Sequence, residues 1–124
     1  MKQILLIEDN RDIRENTVEI LELAGYRVAV AVNGSEGIDM ATQLLPDIIL
    51  CDVQMPVMDG LEVFRNLKAN PQCAKIPFVF VTASAEKREI ETALAMGADG
   101  YVCKPFEASE LLDVVRHQME SNGS

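Results

Sequence analysis

Apolar residues along this chain come in short, unbroken runs. Ile4-Leu5-Leu6-Ile7, Ile48-Ile49-Leu50-Cys51, Phe78-Val79-Phe80-Val81 and Tyr101-Val102-Cys103 are the clearest. Runs of this length without polar alternation read as strands buried on both faces. The stretches between them carry apolar residues at helical spacing. The pattern predicts strands over residues 3–8, 26–31, 47–52, 78–82 and 100–103, and helices over 11–24, 35–45, 61–69, 85–96 and 107–119. Ile13, Val18, Ile20, Leu21 and Leu23 supply the expected apolar face of the first helix, and Gly25 ends it. Asn33-Gly34-Ser35 turns into the second helix, which stops before Pro46. Residues 53–60 form a loop with Pro56 and Asp59-Gly60. Ser84 is placed to cap the fourth helix, with Glu86 in its first turn, and Glu107 suits the dipole of the fifth.

Five strand–helix units imply an α/β domain with a five-stranded parallel sheet, doubly wound as (βα)5 and covered on both faces. The expected domain spans residues 1–120, with a short polar tail over 121–124 that should fray. Ligands of such sheets bind beyond the carboxyl ends of the strands. Glu8 and Asp9, Asp52, Thr82 and Lys104 each follow a different apolar run. Parallel strands would therefore gather all five at one sheet edge.

Composition narrows the choices. A net charge of −9 opposes non-specific nucleic-acid binding and association with an anionic membrane surface. No stretch approaches the roughly 20 apolar residues of a spanning helix. The first strand begins at once after Met1-Lys2, without the apolar region of a signal peptide. Three cysteines, Cys51, Cys73 and Cys103, have no C-x-x-C spacing and suit reduced thiols in the cytoplasm. Cys51 and Cys103 would sit on strands separated by a third, too far apart for a disulfide.

Taken singly, each polar residue has an ordinary explanation. Asp9 would cap the first helix and Glu8 would be solvated. Asp52 would open a loop, Thr82 would be a β-branched strand residue, and Lys104 a surface charge. Together they make an acidic pocket, and converging carboxylates repel unless a cation joins them. Mg2+ takes oxygen ligands, uses one or two carboxylates, and keeps room for waters and phosphate oxygens. Asp9 and Asp52 can supply the direct carboxylates, with Glu8 acting through water. Asp52 is then a candidate nucleophile towards phosphorus. Lys104, the Thr82 hydroxyl and the Ala83 backbone N–H could hold the phosphoryl oxygens. His117, the only histidine, reads as a surface residue, and Met55 and Met58 as packing.

These motifs resemble the receiver domain of two-component response regulators, the CheY-like fold. The resemblance rests on Ile7-Glu8-Asp9, Cys51-Asp52-Val53-Gln54-Met55-Pro56 with Asp59-Gly60, Val81-Thr82-Ala83, and Gly97-Ala98-Asp99-Gly100-Tyr101 through Lys104-Pro105-Phe106, and it covers residues 2–119. It implies the flavodoxin-like strand order 2-1-3-4-5 and a signalling switch in place of an enzyme. It implies that Asp52 accepts a phosphoryl group from a sensor histidine kinase or phosphotransfer protein, and slowly loses it by hydrolysis. The implied Mg2+ ligands are Asp9, Asp52 and the backbone carbonyl of Gln54, with Glu8 assisting. Thr82 and Lys104 would sense the phosphate, Tyr101 would move with Thr82, and Lys104-Pro105 would be a cis peptide. Gln54 and Ser84, beside the expected path of water, would tune phosphoryl lifetime. The face made by the fourth helix, fifth strand and fifth helix would meet an output partner or form a phosphorylation-dependent dimer of an otherwise monomeric chain.

Three features depart from the family's commonest pattern or leave it open. Glu8-Asp9 stands where Asp-Asp is frequent. Gly100 stands where DNA-binding members often carry aspartate, which weakens any transfer of their dimer contacts. No output segment follows residue 119, as expected of a single-domain regulator, a relay carrier or one domain of a larger protein. A phosphatase of the haloacid dehalogenase type would need a second aspartate where Gln54 stands. A nucleotide or flavin binder would need a glycine-rich phosphate loop after the first strand, where Glu8-Asp9 would repel phosphate. A degenerate receiver that only mediates contacts would not need all five site residues.

Overall fold

A computed structural model describes residues 2–83 and 87–123, with side chains over 2–83 and 88–120. Five strands alternate with five helices: β1 (Gln3–Ile7), α1 (Arg11–Leu23), β2 (Arg27–Ala31), α2 (Gly34–Leu44), β3 (Ile48–Asp52), α3 (Gly60–Ala69), β4 (Phe78–Ala83), α4 (Lys87–Ala95), β5 (Gly100–Lys104) and α5 (Ala108–Gly123). All neighbouring strands pair in parallel, in the order β2-β1-β3-β4-β5. The sheet therefore has the expected class and order. The thiols of Cys51 on β3 and Cys103 on β5 are free and lie on strands separated by β4.

Because side chains alternate along a strand, each buried run feeds two cores. Leu5, Ile7, Ile49, Cys51, Phe78 and Phe80 face α2, α3 and α4. Phe64 of α3 meets Phe78 and Phe80 edge-on, at centroid distances of 5.3 and 5.9 Å. Ile4, Leu6, Leu50, Val79 and Val81 face the other way, onto Leu21 of α1 and Leu111 and Val115 of α5. Three helices thus cover one face and two cover the other.

The element ends differ from the expected ones by a residue or two, as fraying ends do, except that α5 continues to Gly123 where 119 was expected. Asn10 caps α1, accepting from the Ile13 N–H at 3.0 Å, which leaves Asp9 free of the capping role considered for it. Gly25 ends the helix as expected, at φ +96°, a conformation easy only for glycine. Leu23 does not join the apolar face: it is 81% exposed. It lies about 200° around the helix from the buried Leu21, so both cannot face the sheet. The proposed Ser84 cap and Glu86 lie outside the described residues.

Candidate functional site

The parallel register sets the site. Ile7 pairs with Cys51, and Asp52 with Val81. Thr82 and Ala83 pair with Cys103 and Lys104. Glu8, Asp52, Thr82 and Lys104 therefore leave adjacent strands at one edge, and Asp9 follows Glu8 there. The Glu8 N–H prolongs the β1–β2 ladder, donating to the Ala31 carbonyl at 3.0 Å.

Lys104 joins the acids. Its Nζ lies 2.9 Å from Glu8 Oε1 and 3.2 Å from Asp52 Oδ1. One oxygen each from Glu8, Asp9 and Asp52 also falls within 4.8 Å of the others. Glu8, expected to be solvated or to act through water, is only 1% exposed. Its side chain is turned into the protein, where Lys104 meets it, while that of Asp9 is exposed. Two residues not anticipated from the sequence support it. The Asn10 N–H donates to Glu8 Oε2 at 3.2 Å, and Arg14 Nη1 donates to the Glu8 carbonyl at 3.0 Å. An Asn at an N-cap is a legible signal; an Arg reaching back six residues to a strand end is not.

Electrostatics follow from this crowding. Burial pushes the Glu8 carboxyl up to about 7, against the pull of the Lys104 hydrogen bond. Burial also raises the Asp52 carboxyl, again against Lys104. Burial alone would depress the Lys104 ammonium, but Glu8 and Asp52 outweigh it and hold its pKa above the ordinary lysine value. The Cys51 thiol is driven well up by complete burial, with Asp52 adding to the effect.

The Glu8 shift has a consequence for stability. Between its ordinary value of 4.5 and about 7, the folded protein holds a proton that the unfolded chain has released. Stability in metal-free buffer should therefore fall as pH rises through this window, by up to about 3 kcal/mol from this group. Asp52 acts in the same direction. Urea melts at about pH 5 and pH 8 measure the slope, and Glu8→Gln should flatten it. An unchanged slope in that variant would show that other groups cause it.

The remaining predicted residues are spread over β4, β5, α5 and the loop after β3. The buried Thr82 hydroxyl donates to the Ala83 carbonyl at 3.2 Å. Tyr101 is half-buried on β5, packed against the core on the α2–α4 side. Lys104-Pro105 is cis. Gln54 is exposed in the loop after β3. That loop is closed by the Gly60 N–H, which donates to the Val53 carbonyl at 2.8 Å, and by Asp59, which caps α3. Gly60 is more than a turn residue: a Cβ there would lie 2.3 Å from the Asp52 carbonyl oxygen. Met55 is buried, Met58 packs against the core, and His117 is exposed, as expected.

A hard cation takes oxygen ligands, and the clustered carboxylates fit one. These residues define an α/β class of protein with an acidic site at the carboxyl edge of a doubly wound sheet. Within that class the chain belongs to the response regulator receiver domain family, whose sequence profile it matches over residues 4–116. The DNA-binding dual master transcriptional regulator RpaA of a Synechocystis strain is 38% identical over 116 residues, covering 94% of this chain and 48% of the regulator. The chain spans about half the length of the curated relatives it matches. The chemotaxis protein CheY4 of Vibrio cholerae superposes with a TM-score of 0.88 at 31% identity, over 94% of this chain and 98% of that one. The receiver domain of the sensor histidine kinase PA1611 of Pseudomonas aeruginosa also gives a TM-score of 0.88, at 30% identity over 96% and 98% of the two chains, and has a magnesium ion in its active-site cleft. The chain is thus a two-component signalling domain. Among the described residues, no helix is long and apolar enough to cross a membrane.

Proposed function

We propose that Asp52 is the phosphoacceptor of this receiver. The observation that carries the reading is the Lys104 ammonium bridging Glu8 and Asp52 beside Asp9. An Asp52 carboxylate oxygen attacks the phosphorus of a phosphohistidine on a histidine kinase or phosphotransfer protein. The new O–P bond makes an acyl phosphate, the N–P bond breaks, and the leaving imidazole takes a proton. Asp9, Asp52 and the Gln54 backbone carbonyl would hold Mg2+, with Glu8 assisting. Bound there, the ion would neutralise charge on the phosphoryl oxygens.

The protein's own groups do the rest. Lys104 is already charged and aimed at Asp52, so it can hold a phosphoryl oxygen without rearrangement. Glu8 keeps that ammonium in place. The Ala83 N–H offers a second donor. The Thr82 hydroxyl is turned to the Ala83 carbonyl and must rotate to donate to the phosphoryl group. That movement vacates space beside β5 and lets Tyr101 move further inward. Phosphorylation then favours one of two arrangements of the α4–β5–α5 face, through contacts made only in that arrangement. That face would meet the output partner or a second phosphorylated chain. Slow hydrolysis of the acyl phosphate resets the switch, at a rate tuned by Gln54 and Ser84. The three free thiols and acidic surface suit a cytoplasmic setting without direct nucleic-acid contact by this domain.

Acetyl phosphate tests the cation requirement, because it needs no partner protein. Intact-mass spectrometry should show the gain of one phosphoryl group in Mg2+ and none in EDTA. Equal labelling under both conditions would remove the cation from the account.

A further inference from the structure

The sheet is covered unevenly. α2, α3 and α4 lie on one face, while α1 and α5 alone cover the other. β2 is an edge strand, and on the α1 side no helix beyond α1 covers it among the described residues. The uncovered strip is a groove of about 520 Å³ between α1 and β2. Its floor is apolar, made by Val18 of α1 with Val28 and Val30 from alternate positions of β2, and Leu23 stands at the outer rim. Leu23 is 81% and Val30 37% exposed. Its rim is acidic. Glu15, Glu19 and Glu22 line it at intervals of four and three residues, which places them along one side of α1. Glu15 pairs with Arg11, whereas Glu19 and Glu22 have no ion-pair partner among the described residues. The one basic lining residue, Arg14, has its Nη1 committed to the Glu8 carbonyl.

We propose that the α1–β2 groove is a docking surface for a basic amphipathic helix of a partner protein. Such a helix would lay an apolar stripe over Val18, Leu23, Val28 and Val30 and set its lysines or arginines against Glu19 and Glu22. The charge pattern selects against acidic helices and fixes the orientation of the partner more than it adds affinity. The groove meets the phosphoryl site at Arg14, which lines it and holds the Glu8 carbonyl.

The test uses a Leu/Lys amphipathic peptide of about 14 residues, roughly the 20 Å length of α1, locked helical by a side-chain lactam because short free helices are marginal. Amide chemical shifts of the isotopically labelled protein are followed in about 0.15 M salt, where long-range attraction is screened. The expected result is shifts concentrated in residues 14–23 and 27–31. A peptide of the same composition with its stripe scrambled should bind at least about tenfold more weakly. Glu19→Lys combined with Glu22→Lys should weaken the amphipathic peptide about tenfold, and so should Leu23→Gln combined with Val30→Thr. All four positions are at the surface, and a thermal melt verifies that each variant is folded. Shifts scattered over the acidic surface, or equal binding of the scrambled peptide, would overturn the proposal. So would sedimentation showing a dimer that these variants abolish, since a second copy would then be the occupant. Shifts confined to the outer edge of β2 would point to an added strand and would also overturn it.

Discussion

Asp52→Asn should take no phosphoryl group from acetyl phosphate in Mg2+, while remaining folded. The amide keeps the size and planarity of the carboxylate but has no anionic oxygen to attack phosphorus. The fold should not suffer. Burial already opposes ionisation of Asp52, and its charge adds to the strain on Glu8. Removing that charge relieves Glu8, so the variant should be at least as stable as the wild type at about pH 8 in metal-free buffer. Loss of labelling with retained stability separates the loss of a nucleophile from the loss of a structure. Unfolding of the variant, or labelling equal to wild type, would contradict the assignment.

Gly60→Ala should damage the same site from outside it. The new Cβ would fall 2.3 Å from the Asp52 carbonyl oxygen and 2.9 Å from the Val53 Cα. Both are backbone atoms and cannot swing aside like the end of a side chain. The turn between β3 and α3 must open, weakening the 2.8 Å bond from the Gly60 N–H to the Val53 carbonyl. Overpacking of this kind costs about 1–3 kcal/mol. A displacement of Asp52 by about 1 Å would slow phosphoryl transfer on the order of 10²-fold. Gly25→Ala is the matched control. Its φ of +96° strains alanine, yet nothing lies within 4 Å of the new Cβ. It should lower the melting temperature and leave the labelling rate unchanged. A Gly60→Ala protein that labels at the wild-type rate would show that this close approach does not hold Asp52 in position.

Much of this was legible from the chain. Continuous apolar runs identified the strands, because only strands buried on both faces lack polar alternation. A polar residue ending each run was enough to place Asp52, Thr82 and Lys104 on one edge. Finer choices depended on tertiary packing. Sequence does not say which of Glu8 and Asp9 turns inward, since both faces of β1 are buried and the contacts of Glu8 with Lys104 and the Asn10 N–H are what hold it. The bridge from Lys104 to Glu8 spans 96 residues and has no local signal. Leu23 looked like core because it is apolar, but its angle around α1 sends it to solvent. Gly60 looked like a turn residue. Its closeness to Asp52 appears only when the loop folds back onto the strand end.

Val57 shows the reverse case. It is fully exposed with φ +70°, a conformation costly for a β-branched residue. Nothing in the runs or motifs predicted it.

Locating the phosphoryl group tests the central claim most directly. The protein is labelled with acetyl phosphate in Mg2+, then treated with borohydride, which reduces an acyl phosphate to an alcohol, and is digested and mapped by mass spectrometry. Asp52 should appear as homoserine, in proportion to the label and at no other carboxylate. Reduction at Asp9, Glu8 or Asp59 with Asp52 intact would contradict the account.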